Sequence, residues 1–492
     1  MGRLAVLILL ACHTAVWAAP AAKPPRLTLA PCKLPDYEGA ARCGTWEVFE
    51  NRAAASGRKI SLRVVVIPAR AEPVAPDPVV FFEGGPGVSV VDSAPSFVEE
   101  LSAVLLHRDL VLVDARGTGG SHPLSCPQPE GLRGVEEALD TFMDPAAVRR
   151  CREVLARDND LTQFTTDAMV DDVDEVRAAL GYEKLNLMGA SYGTRAAQVY
   201  LRRHPESVRT VVLSSVLPTD ARVPTHLAAH TQAAFDHVVA DCAAEAPCHA
   251  AFPDPRGDLE TVLKRLATAP VGVPVRDEDG KERTLQLSKN GVVQTVRYLL
   301  YRPSGVRELP FVLRRAAEGD LTLIGQRAYD IASALLASPP DGLYLSVTCA
   351  EDVAFVDRDE AAQLSAKSFV GDLRLRQQLA ACAEWPYAKL PASFLEPVSS
   401  PVPVLLVAGE NDPATPLEWA LRVARALPRS RLLVVPGGAH TFYGLEGVEC
   451  LDRLTADFVA RGSAEELDLD GCRNAIRRPP FARSLEELGT RP

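Results

Sequence analysis

The sequence has no long apolar run. Its most hydrophobic stretch, residues 4–11, is far shorter than the roughly 20 residues a membrane helix needs, and later runs are broken by charges. It has no excess of positive charge either. Against 64 Asp+Glu stand 53 Lys+Arg, for a net charge of -11. An acidic surface repels phosphate backbones and no basic patch stands out, so no nucleic-acid partner is expected. No Cys-x-x-Cys spacing occurs, so no metal is expected at the cysteines. Glycine and proline, 32 and 39 residues, follow no period, which excludes collagen-like and low-complexity chains. No repeat of solenoid length is present. What remains is ordinary globular composition, 47% hydrophobic and 24% charged. At 492 residues the chain holds about three domain-sized units, or one large domain with an insertion.

The N-terminus reads as a signal peptide over residues 1–18. Arg3 supplies the charge, residues 4–11 the apolar core, and Val16-Trp17-Ala18 the small-residue cleavage site. An alternative is a lipoprotein signal with a lipid anchor at Cys12. Either way the protein is exported, to a periplasmic or extracellular place. Apart from Cys12 there are ten cysteines, an even number, which in an exported chain favours disulfides. They fall into near neighbours: Cys32 and Cys43, Cys126 and Cys151, Cys242 and Cys248, Cys349 and Cys382, Cys450 and Cys472. Sequence alone does not fix connectivity, but short loops close most easily, so these local pairs are expected.

Strand-like runs occur at 44–50, 60–69, 78–82 and 109–114. The last two are continuously apolar, as in parallel strands covered on both faces. A helix is expected over Thr166–Leu180, with Thr166 as N-cap and Gly181 as stop. A strand at 184–188, a tight glycine turn, a helix at 194–204 and a strand at 209–214 follow. From 218 to 400 the chain becomes Ala-rich and helical in pattern. Alternation then resumes with strands at 402–408 and 431–435 and helices at 416–426 and 450–460. This order implies an α/β fold, a mostly parallel sheet with helices on both faces and an inserted, mainly helical cap. Its core is expected in two parts, 19–217 and 401–492, with the cap at 218–400.

Gly189-Ala190-Ser191-Tyr192-Gly193 fits G-x-S-x-G between a strand and a helix. That is the setting of a nucleophile elbow, which lifts a serine hydroxyl above a sheet at a helix N-terminus. A serine hydroxyl needs a base, and the base an orienting acid. In the α/β-hydrolase fold these follow in the order Ser, acid, His. Asp412 lies just past the 402–408 strand and His440 just past the 431–435 strand. Both are therefore expected on the same sheet edge as Ser191. Glu83-Gly84-Gly85-Pro86-Gly87 follows another buried strand, and the N–H groups of Gly85 and Tyr192 are candidates for an oxyanion hole.

With these residues the chain resembles the proline iminopeptidase and tripeptidyl aminopeptidase-like family of α/β-hydrolase serine peptidases, in its secreted, cysteine-bearing branch. The matching stretches are Cys43-Gly44, the GGPG turn at 84–87, Asp114-Ala115-Arg116-Gly117-Thr118-Gly119-Gly120-Ser121, Thr165-Thr166, the nucleophile region, residues 409–416, and Gly438-Ala439-His440. The resemblance implies a triad of Ser191, Asp412 and His440, and supports pairing of Cys349 with Cys382 and of Cys450 with Cys472. Two positions depart from the proline iminopeptidases: Glu83 stands where they carry His, and Val88 follows the turn in place of Gly. Asp114 and Arg116 are read as scaffold that ties loops together.

The expected activity is therefore that of a secreted serine exopeptidase acting on peptide N-termini, with no cofactor. An esterase or lipase on the same fold shares every catalytic part. A non-catalytic binding protein on a hydrolase scaffold is the reading from another class. An epoxide hydrolase or dehalogenase would want Asp at position 191. An exopeptidase of this kind must hold a free ammonium, for which a carboxylate is the natural partner. Glu351, beside Cys349 in the cap, is the expected anchor, with Asp352 and Glu83 as substitutes.

Overall fold

The computed structural model describes residues 26–127, 131–141, 143–337 and 342–488. The signal peptide expected at 1–18 and the anchor expected at Cys12 lie outside them. Eleven strands are described: β1 (Ala30–Leu34), β2 (Tyr37–Phe49), β3 (Lys59–Ile67), β4 (Val79–Phe82), β5 (Leu110–Val113), β6 (Leu185–Ala190), β7 (Val208–Ser214), β8 (Val271–Arg276), β9 (Glu282–Leu287), β10 (Val404–Gly409) and β11 (Ser430–Val435). Nine form one sheet in the order β1-β2-β3-β5-β4-β6-β7-β10-β11. The first three junctions are antiparallel. The remaining five are parallel.

The parallel strands are apolar because both their faces are covered. In β10, Val404 and Leu406 belong to one buried cluster, with Val170, Val173 and Val176 of the Thr166–Leu180 helix. Leu405 and Val407 belong to another, with Leu454 and Phe458 of the Cys450–Arg461 helix. Helices thus lie on both faces, as the α/β pattern requires. The Thr166–Leu180 helix begins one residue earlier than expected in its capping: Thr165, not Thr166, is the N-cap and its hydroxyl accepts from Ala168 N–H at 3.2 Å. Gly181 ends the helix at φ 88°, as a C-terminal glycine does.

Between β7 and β10 the chain forms helices and one element the sequence reading did not separate, the antiparallel β8–β9 hairpin. This insertion has its own core, which includes Val135 and Leu139 from a helix before β6 and Phe481 from the C-terminal segment. Arg307 holds that segment through the carbonyls of Pro480 and Glu487, both at 2.8 Å. Disulfides join Cys32–Cys43, Cys126–Cys151, Cys242–Cys248, Cys349–Cys382 and Cys450–Cys472.

Arg116 is fully buried beneath the sheet's C-terminal edge. It pairs with Asp172 through Nε at 2.6 Å and Nη2 at 2.7 Å, and donates to the carbonyls of Glu50 and Gln163. Arg52 reaches the same carboxylate at 2.6 Å. Three loops are thereby tied to one helix. Removing one partner of a buried pair leaves an uncompensated charge. Asp172→Ala is accordingly expected to lower unfolding free energy by about 3–5 kcal/mol in urea titrations followed by circular dichroism. A loss below about 1 kcal/mol would contradict this role.

Candidate active site

Ser191 sits between β6 and the Tyr192–Arg203 helix at φ 54° and ψ -123°. A non-glycine residue occupies that region only under constraint. Its N–H donates to Ser214 O at 3.0 Å, and its carbonyl accepts from Thr194 N–H at 3.0 Å and Thr194 Oγ1 at 2.6 Å. The flanking glycines answer a close approach. A Cβ on Gly193 would lie 1.9 Å from Phe82 O, and one on Gly189 would lie 2.4 Å from Gly193 O. The turn can therefore be this tight only without those side chains.

Asp412 and His440 enter the same edge from the ends of β10 and β11. His440 Nε2 lies 3.0 Å from Ser191 Oγ. His440 Nδ1 lies 2.9 Å from Asp412 Oδ2 and 3.1 Å from Oδ1. The Asp412 side chain is buried. Burial alone would raise its carboxyl, but His440 and the bonds from Thr415 outweigh it and hold the group below the usual carboxylate range. An ionised carboxylate can only accept, so His440 Nδ1 is the donor and Nε2 is left to accept from the serine hydroxyl. Thr415 donates from Oγ1 to Asp412 Oδ2 at 2.7 Å and from its N–H to Oδ1 at 2.9 Å. Ser215 Oγ donates to the His440 carbonyl at 2.7 Å, and the Tyr301 ring lies edge-on to the imidazole at 5.0 Å.

The Gly84-Gly85 turn faces Ser191. A Cβ on Gly84 would lie 3.3 Å from Ser191 Cβ. Neither Gly85 N–H nor Tyr192 N–H has an acceptor among the described residues. Tyr192 is also the first residue of its helix, where the dipole favours a nearby negative charge. Among the described residues no group of three or more His, Cys, Asp or Glu side chains could hold a metal ion.

Residues 77–244 match the family model described as alpha/beta hydrolase fold, and residues 367–471 match the model described as TAP-like protein. The chain is 28% identical over 472 residues to serine protease Hip1 of Mycobacterium tuberculosis, covering 86% of each. It is 26% identical over 430 residues to the tripeptidyl aminopeptidase of Streptomyces coelicolor, covering 81% of this chain and 77% of that one. Against carboxylesterase B of Mycobacterium tuberculosis it is 28% identical over 468 residues, covering 86% of this chain and 85% of the other. The chain is a serine hydrolase of the α/β-hydrolase fold, similar to serine peptidases.

In this α/β-hydrolase the expected amine anchor is turned inward. Glu351 is fully buried, and its two oxygens accept from Thr166 N–H at 2.8 Å and Thr166 Oγ1 at 2.7 Å. Arg195 stands 3.9 Å away. Asp352 is buried too and pairs with Arg195 at 3.0 Å. With no surface open to a ligand, Glu351 and Asp352 are set aside as anchors. Glu351 instead reaches the Ser191 turn through Thr166, whose Oγ1 is 2.6 Å from Tyr192 Oη. Glu83 keeps partial solvent access and accepts from Gly84 N–H at 2.8 Å.

Thr415, Ser215 and Tyr301 were not singled out from the sequence. Thr415, three residues after an aspartate at a strand end, carries the pattern of a local side-chain-to-backbone turn and could have been. Ser215 and Tyr301 approach from other parts of the chain with no local signal.

Burial pushes the Glu351 carboxyl up to about 7, against the opposing influences of Arg195 and Thr166. In the unfolded chain an ordinary glutamate titrates near 4.5. Between those values the folded state keeps a proton that the unfolded state releases, so stability falls as pH rises from about 4.5 to about 7. Glu351→Gln keeps the contacts: its Oε1 can accept from Thr166 N–H, and its amide can donate to Thr166 Oγ1. We expect this variant to gain on the wild type by about 3 kcal/mol across that pH window. Parallel stability-versus-pH curves for the two proteins would contradict it.

Proposed function

We propose that the chain is an exported exopeptidase that releases residues from peptide N-termini through an acyl-enzyme. The observation that carries the reading is the bond sequence Ser191 Oγ to His440 Nε2 and His440 Nδ1 to Asp412, at 3.0 and 2.9 Å. Ser191 attacks the scissile carbonyl while His440 takes its proton, and the imidazolium is held by ionised Asp412. The tetrahedral oxygen is received by Gly85 and Tyr192 N–H groups. His440 returns the proton to the leaving amine, and water then repeats the sequence to release the acyl part. No cofactor takes part in these steps.

Two observations support the finer reading. A relative bears the name tripeptidyl aminopeptidase, and the insertion reaches the site through Tyr301, whose ring stands against His440. Export is supported by the five disulfides, which persist in oxidising compartments. Glu83, next to Gly84 and partly open to solvent, takes the place of Glu351 as partner of the substrate ammonium. A second reading, an esterase, is favoured by the relative named carboxylesterase B. A peptidyl-arylamide and an aryl ester of similar size separate the two.

Ser191→Ala and His440→Ala are each expected to lower kcat by about 10⁴-fold or more with the far-ultraviolet spectrum unchanged. Near-normal turnover in either would remove that residue from the mechanism. Acetylating the substrate amine should cut kcat/KM by about 2–5 kcal/mol, the cost of losing one partner of a buried charge pair. Glu83→Gln should narrow that gap. Equal cleavage of free and acetylated peptides would leave an endopeptidase or esterase in its place.

A further inference from the structure

His440 is held from two sides, and one of them is the insertion. Both polar atoms of the peptide group joining His440 to Thr441 are engaged. The carbonyl accepts from Ser215 Oγ at 2.7 Å, and the Thr441 N–H donates to the Tyr301 carbonyl at 3.0 Å. Ser215 follows β7 of the sheet, whereas Tyr301 lies in the insertion, between the Lys289–Leu299 and Pro303–Glu318 helices. Beyond His440 the chain turns outward, with Thr441, Tyr443 and Gly444 exposed. Gly444, at φ 94°, passes so near the insertion that a Cβ on it would lie 3.1 Å from Ser304 N.

Tyr301 meets the imidazole as well as the backbone. The two rings stand 5.0 Å apart at 66°. Tyr301 is itself fixed at three points. Its N–H donates to Tyr298 O at 3.1 Å, its Oη accepts from Arg297 Nη2 at 2.6 Å, and its ring lies 5.3 Å from that of Tyr298.

Proton transfer asks more of the imidazole than its two hydrogen bonds supply. Asp412 at Nδ1 and Ser191 at Nε2 fix its ends but not its tilt about the line joining them. In an acyl-enzyme Ser191 Oγ is esterified and has no proton to donate. The Asp412 bond then remains alone while His440 draws a proton from water. A closely packed ring limits tilt at both stages. Misplacing a reacting group by about 1 Å can cost about 10²-fold in rate.

We propose that Tyr301 is a positioning residue for His440, so that the insertion, and not the sheet alone, sets the catalytic base. The proposal rests on the Ser191 mechanism given above. The flat ring carries the role, and the hydroxyl anchors that ring on Arg297.

Two measurements on the full chain test it together: the rate and final yield of fluorophosphonate labelling, and steady-state hydrolysis of whichever of the arylamide and the aryl ester the wild type cleaves. In Tyr301→Ala the labelling rate and kcat are each expected to fall by about 10- to 100-fold, with KM within about threefold of the wild type. The final yield should remain one adduct per chain, on Ser191. A partly unfolded population lowers the yield, whereas a misplaced base lowers the rate. Tyr301→Phe, which keeps the ring and loses the hydroxyl, should recover all but about threefold of both losses. If Tyr301→Ala does not fold, Tyr301→Leu, apolar but without a flat ring, takes its place, with an expected loss of at least about 10-fold. Labelling of the ring-deleted variant at the wild-type rate overturns the proposal. So does a loss confined to the yield, or a Tyr301→Phe variant as slow as Tyr301→Ala. Each of these leaves the Ser191 mechanism standing. A wild-type chain that takes no label at Ser191 overturns that mechanism and this inference with it.

Discussion

The site depends on keeping one carboxylate ionised where water does not reach it. Asp412 is buried, and burial alone would favour its neutral form. Its oxygens are instead occupied by His440, by the N–H groups of Ala414 and Thr415, and by the Thr415 hydroxyl. That set of donors fixes the charge, the charge fixes the imidazole tautomer, and the tautomer leaves Nε2 free to receive the serine proton. Without Thr415 the same aspartate would rely on the imidazole and two backbone donors alone.

The scaffold brings these groups together by topology. Ser191, Asp412 and His440 follow β6, β10 and β11, strands that run parallel in one sheet and so end at one edge. Buried polar pairs then hold the loops of that edge. Arg116 and Asp172 bind the loop after β5 to the Thr166–Leu180 helix, and Glu351 with Thr166 binds the insertion to the same helix beneath Tyr192. Each pair spans segments far apart in sequence, so the geometry around Ser191 is set by contacts well outside its own turn. Such pairs do not by themselves add much net stability, but breaking one is costly, which makes them effective in specifying a single arrangement.

Much of this was legible in the sequence for a physical reason. β4, β5, β6 and β10 are buried on both faces, which leaves short apolar runs that no solvent-facing strand would show. The glycines around Ser191 announce a turn too tight for side chains, and Asp412 and His440 stand just past buried strands. Where residues face water, that signal fades. β1 is mostly exposed along its length and left no apolar pattern. The β8–β9 hairpin buries only alternate residues, Val273 and Val275 against Leu285 and Leu287, within a segment that otherwise reads as helical. The direction a carboxylate points is not a local property at all. Glu351 adjoins a disulfide as expected, yet it faces Thr166 and Arg195, because the helix carrying it packs beside the Leu161–Gln163 turn that leads into the Thr166–Leu180 helix.

The central claim is that Ser191 is a nucleophile activated by His440 and Asp412. Labelling with a fluorophosphonate, followed by peptide mass mapping, tests it most directly, because that reagent needs both an activated serine and an oxyanion hole. The account predicts one phosphonyl adduct per chain, on the peptide containing Ser191, and none after His440→Ala. An unlabelled wild-type chain, or an adduct at another serine, would contradict it.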